Sequence, residues 1–389
     1  MREEKSLKNY VIRVHDAPAQ VDAEAWNSLL ALQPDSTPFM RHEYLTALHE
    51  SRSAVAETGW QPQFLTVHEG EALVAACPLY LKSHSYGEYV FDWAWADAYQ
   101  RHGLDYYPKL LSAVPFTPVP GPRLMARDAA ARMALLRGME QFAAQAGLSS
   151  AHVLFLDTAD QQAARDAGWM MRSTVQFHWQ NRMPEGHADF AAYLASLQRD
   201  KRKKIQQERC KVADAGVSFT TLQGREISAD DWDHFYRCYR NTYRAHHSSP
   251  YLTRDFFRRM AETMPEHWLL FVARRGGDRI AASLIALDPA QRVAYGRYWG
   301  ATEHVSCLHF EACYYQPLAW CIDQGYRRFE GGAQGEHKMA RGLLPVQTWS
   351  AHWLAHPQFS QAVAEYLARE GAGVENYLDE LNERQPFKA

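Results

Sequence analysis

The sequence contains no CxxC pair. Its six cysteines stand at positions 77, 210, 238, 307, 313 and 321. That spacing fits neither a zinc ribbon nor a disulfide framework, and it implies reduced thiols. Long apolar runs are also missing. The longest, ALVAACPLYL over 72–81, is too short for a bilayer span and contains a proline. The opening residues, MREEKSLKNYVIRV, lack the apolar core and cleavage site of a secretory signal, so a cytoplasmic protein is expected. Excess charge is absent as well. With a net charge of −3 over 389 residues, any affinity for nucleic acid must come from a local patch. His304, His309, Glu311, His337, His352 and His356 show no HExxH or comparable spacing, so no metal site is expected.

What is present is apolar and aromatic material. At 47% hydrophobic residues the chain can fill two or three cores, and disorder is not indicated. Periodicity predicts a strand over 9–16, helices over 23–32 and 41–51, then strands at 63–70, 72–83 and 89–95. A proline-rich connection, VPFTPVPGPRL, leads to a helix with Asp128 as N-cap and Gly147 as its stop. Strands follow at 150–157 and around MMRSTVQFHW. The second half repeats this order. It has a strand at 217–224, two helices, three strands, a helix at 308–325, the strand YRRFEGG and a last strand at 346–355. GEALVAA at 70–76 matches GDRIAAS at 277–283, and DYYPKLL at 105–111 matches CYYQPLA at 313–319. Both echoes suggest duplication.

Two stretches concentrate charge. Segment 199–211 holds seven cations, among them Lys201, Arg202, Lys203 and Lys204, against two acids. It reads as a helix that is either a solvated face or a phosphate-binding patch. FEGGAQGEHKMARGLLP, residues 329–345, crowds Glu330, Glu336, His337, Lys338 and Arg341 among glycines. Lys338 and Arg341 lie three apart, so one helical turn aims both the same way, as an anion site requires. Lys338 is expected to be exposed and to contribute little to stability.

The repeated order β-α-α-β-β-β-α-β-α-β resembles the GNAT acetyltransferase fold. RDKRKKIQQERCKVADAGV and the FEGGAQGEHKMARGLLP loop resemble the Fem family of peptidoglycan aminoacyltransferases, which carry two such domains. The resemblance implies an α+β protein with mixed sheets. It would have a first GNAT-like domain at 1–182, which helps hold the acceptor, a basic helical connector at 183–216, and a second domain at 217–389 with the active site and C-terminal helices. It implies transfer of an acyl or aminoacyl group to an amine, with aminoacyl-tRNA or acyl-CoA as donor and no tightly bound cofactor. A cell-wall precursor is the expected acceptor and tRNA a partner. A CoA-dependent acetyltransferase and a non-catalytic peptidoglycan-recognition protein remain alternatives.

Acyl transfer needs a deprotonated amine, a polarised carbonyl and a stabilised leaving group. The strand AYGRYWGAT offers Gly296 and Gly300, where a substrate can approach backbone closely. The following GATEHVSCLHFE has no phosphate-binding glycine pattern and no cation, and Glu303 would repel a phosphate, which disfavours CoA there. In the first turn of the next helix, His309 is expected to be neutral and to act with Glu311, because the helix dipole disfavours an imidazolium. Tyr314 or Tyr315 would protonate the leaving group. From the loop, Glu336 and His337 complete the catalytic candidates, and Glu330, Gly332, Gln334, Lys338 and Arg341 the binding ones. The whole reading requires residues 309–311 and 330–341 to meet at one opening.

Overall fold

The computed structural model describes residues 9–182, 184–332 and 335–388. The chain divides into two compact units that interleave in sequence. One comprises residues up to Thr174 together with Thr348–Gly373, and the other Val175–Gln347 with the residues from Val374 onward. The chain passes between them inside the strands Met170–Gln180 and Leu344–Leu354 and inside the 27-residue helix Pro357–Glu383.

In the first unit, Tyr10–His15, Phe64–Glu69, Ala72–Cys77 and Met125–Ala126 form an antiparallel sheet in that order. Helix Ala129–Gln145 covers it. Asp128 accepts from the Ala131 N–H at 2.8 Å and fixes the helix start. Leu135, Leu136 and Met139 pack there against Val67, Val74 and Val153. Residues 350–354, from far along the chain, pair antiparallel with Ser150–Leu154. In that ladder His152 lies opposite His352, and their Nδ1 atoms are 2.8 Å apart. Residues 89–95, expected as a strand, instead lead into helix Trp93–Arg101. Trp95 and Tyr99, one helical turn apart, bury against Tyr106, Leu354 and Val363. The alternation that suggested a strand is overridden by this packing.

The second unit follows the expected order. Strands Val217–Gln223, Trp268–Arg275, Asp278–Asp288 and Val293–Ala301 form an antiparallel meander. Arg328–Glu330 joins in parallel, and His178–Gln180 pairs antiparallel with it. Helix Ala229–Ala245 begins at a reciprocal cap. The Asp231 N–H donates to Ser228 Oγ, and the Ser228 N–H donates to the Asp231 carboxylate, each at 3.2 Å. Leu269, Ile285, Leu318 and Phe329 centre the core.

One sequence echo is structural. Residues 70–76 and 277–283 occupy matching hairpins, and each hairpin slips register near its turn, at Val67/His68 and at Ala273/Arg274. The other is accidental: 105–111 leads into strand Lys109–Ser112, whereas 313–319 is helical.

Candidate active site

The second unit's sheet opens where two strands part. Val293–Ala301 pairs with Arg328–Glu330 only from Val293 to Tyr295. On its other side the register steps from Tyr298 opposite Leu284 to Gly296 opposite Ile285, so the strand bulges at Arg297. A cavity of about 130 Å³ lies at this divergence, lined by Gly296, Tyr298, His309, Cys313, Tyr314 and Phe329 among others. A Cβ at Gly296 would stand 3.2 Å from the Phe329 ring, so glycine keeps this wall open. Gly300 serves packing instead of a substrate. A Cβ there would lie 1.9 Å from the carbonyl oxygen of Cys238, on the adjoining helix.

The helix entered at Leu308 widens into a π turn over Glu311–Tyr315. Pro317, which has no N–H to give the Cys313 carbonyl, lies just beyond and favours the wider turn. The turn divides the side chains. His309, Cys313 and Tyr314 face the cavity, while Glu311 and Gln316 line a separate groove of about 780 Å³. Both Glu311 oxygens accept from Arg209 Nε at 3.2 Å, and one accepts from Gln316 at 2.7 Å. Glu311 is therefore not brought into the cavity. His309 is held neutral, its pKa lowered to about 4, first by burial and then by the charges of His337, Arg341 and Lys338. Neutrality was expected, but burial rather than the helix dipole is the main cause.

The 329–345 loop lines the cavity with Phe329 and Gly331 and brings His337 to the outer side of Tyr314. Tyr314 Oη is 3.4 Å from His337 Nε2, and the Phe310 and Tyr314 rings flank that imidazole at 5.9 and 6.0 Å. Burial and the nearby cations lower the pKa of His337. Lys338 is only 4% exposed, contrary to the expected surface lysine. Its Nζ donates to the Gly332 carbonyl at 3.1 Å, and burial lowers its pKa to about 8. Cys313 lies close enough to act on that ammonium, and burial raises its own thiol to about 12.

Arg341 departs from the expected pair of free cations. It is 2% exposed and donates to both oxygens of Glu208, at 2.8 and 3.0 Å. The Tyr315 hydroxyl donates to the same carboxylate, and the guanidinium lies 3.7 Å from the Phe310 ring centre. Arg341 and Tyr315 thus anchor the loop and the π turn to helix Arg199–Asp214. Glu336 turns outward, accepting from Tyr377 at 2.8 Å. Glu330 is buried, 3.0 Å from Arg328 and 3.8 Å from His178. Gln334 lies outside the described residues.

On the basic helix, Ile205, Glu208 and Val212 face inward. Lys203 and Lys204 are exposed, and Lys201 stands 2.9 Å from Asp200. The charge of Lys204 is among those that lower the pKa of His337. Sequence reasoning missed Glu208, Tyr298, Cys313 and Phe329. A lone carboxylate inside a run of cations was the available signal for Glu208. Among the described residues no cluster of His, Cys, Asp or Glu is arranged to hold a metal. No helix among them is long and apolar enough to cross a membrane.

The fold is a mixed α/β one divided into two units, with a cleft in the second. The chain belongs to the FemAB-like family, described as peptidoglycan biosynthesis/recognition, whose profile matches residues 17–389. Among solved structures it resembles L-PGS from Bacillus licheniformis, with a TM-score of 0.56 at 11% identity over 91% of this chain and 99% of that one. The C-terminal domain of a putative lysylphosphatidylglycerol synthetase from Agrobacterium fabrum gives 0.55 at 11% identity, over 91% and 97%. FemX gives 0.53 at 10% identity, over 88% and 98%. No curated protein sequence matches.

Proposed function

We propose that the protein moves an aminoacyl group from aminoacyl-tRNA onto an amine of a peptidoglycan precursor in the cytoplasm, with the second unit's cavity as reaction site and the first unit helping to hold the acceptor. One observation supports this reading: His309, Cys313 and Tyr314 line a cavity where the two strands part, His337 stands 3.4 Å from Tyr314, and the buried Lys338 feels the charge of Cys313.

The amine nitrogen attacks the ester carbonyl carbon, and a tetrahedral centre with a negative oxygen forms. The bond to the ribose oxygen then breaks, the amide forms, and the amine's proton ends on the ribose oxygen. Lys338 supplies the positive charge for the oxyanion, in a water-poor wall where such a charge acts strongly. Tyr314 and His337, 3.4 Å apart, form a path for the proton. His309, neutral at pH 7, positions the amine as a hydrogen-bond acceptor. Glu311 holds Arg209 and the π turn in place and does not touch substrate. Arg341 acts through Glu208 to fix the loop.

For CoA, the segment from Gly300 to Leu308 supplies no cation of its own, although Arg275 pairs with Glu303 and removes its repulsion. The test is amide formation on a muramyl peptide, followed by mass spectrometry, with aminoacyl-tRNA or acetyl-CoA as donor. A product from aminoacyl-tRNA that falls about 100-fold in Tyr314→Phe supports the reading. A product from acetyl-CoA alone replaces the donor. Muropeptide binding without product from either donor leaves a recognition protein.

A further inference from the structure

Helix Ala229–Ala245 buries Trp232, Phe235, Cys238 and Tyr239. Its outer face carries Arg237, Arg240 and Arg244, at spacings of three and four, in one stripe about 10.5 Å long. All three are exposed. Among the described residues, none of their guanidinium groups has a hydrogen bond or an ion pair. With Arg254 they line a groove of about 360 Å³. Its one carboxylate, Asp233, is taken up by Arg254 at 2.6 Å. Tyr236 and Asn241 complete the lining.

Some surface arginines elsewhere in this unit find acids. On the next helix Arg258 bonds both Asp255 and Glu262. Cations near a helix C-terminus suit the dipole, but the dipole does not explain a groove of four guanidinium groups in a chain of net charge −3. The inner face of the same helix touches a residue of the cavity. Tyr239 packs on Tyr298 at 5.2 Å, and Tyr298 and Arg297 both line the cavity. The charge of Arg297 also reaches Tyr243, next to Arg244.

We propose that this arginine groove holds the phosphodiester backbone of the RNA that carries the donor, and so delivers its acylated end to the cavity. The inference rests on the aminoacyl-RNA reading above. Guanidinium forks grip phosphate oxygens in pairs, and a stripe of them follows a chain of phosphates. An anionic lipid surface would share the phosphate chemistry. It would also need apolar side chains to insert, and among the described residues the exposed large hydrophobic ones, such as Val11, Trp93 and Tyr366, all lie in the first unit.

The test measures binding of a short RNA hairpin to the full chain by fluorescence anisotropy, at several salt concentrations. The triple variant Arg237→Gln, Arg240→Gln, Arg244→Gln should keep the wild-type melting temperature, bind about 30-fold more weakly and lose two to three units of salt slope (order of magnitude). Equal RNA affinity in the variant overturns the inference and leaves the donor reading standing. So does a loss of binding only to phosphatidylglycerol vesicles. If the wild-type chain binds no RNA at all, both the inference and the RNA-donor reading fall; amide formation from acetyl-CoA would then still uphold acyl transfer.

Discussion

Lys338 is a buried cation with one carbonyl partner, an arrangement that burial makes costly. Lys338→Met should raise or preserve the melting temperature while lowering transfer about 100-fold or more. A folded-state pKa of about 8, below the ordinary lysine value, means the unfolded chain binds more protons between about pH 8 and 10.5. This group's contribution to stability therefore rises with pH across that window, and the methionine variant should lose that rise in thermal melts. Transfer in the wild type should decline above about pH 8 as the ammonium deprotonates. A rate that stays flat to pH 10 would remove Lys338 from the chemistry. Charge density made this lysine conspicuous in the sequence. Its burial was illegible there, because the residues that cover it are far away along the chain.

Among the elements, the bulged strand and the π turn build the cleft together. The two glycines of that strand separate their roles cleanly. Gly300→Ala would drive a Cβ into the Cys238 carbonyl at 1.9 Å and should lower the melting temperature by 10 °C or more, on the order of several kcal/mol. Gly296→Ala meets only a ring edge at 3.2 Å. It should melt near wild type, yet raise the substrate KM by narrowing the cavity. Equal melting of the two variants would refute this division. The strands and helices of the second unit were legible because their periodicity agrees with their burial. The π turn was not, because it depends on one missing N–H and on anchors at Glu208 and Arg209. The helix at Trp93 was missed because distant partners bury its aromatic residues.

The whole molecule is interleaved, since the first unit needs residues 350–354 to complete its ladder. A chain ending at residue 182 should therefore fail to unfold cooperatively, as followed by circular dichroism. A cooperative melt would show the strand to be dispensable. The His152–His352 contact adds an acid sensitivity. Burial lowers the pKa of His152 to about 3, below its unfolded value. Its contribution is intact above about pH 6.5 and is lost as pH falls toward 3, so stability should drop across that range, less steeply in His152→Gln. The amino-acid sequence by itself determined the repeated order of most elements, the family motifs and which loop gathers charge among glycines. All of these rest on local periodicity and adjacency. Only the tertiary structure decided that Arg341 is spent on Glu208, that Glu311 and Glu336 face away from the cavity, and that Lys338 is buried beside it. Those outcomes are set by contacts between residues separated widely in the chain, which no local pattern encodes.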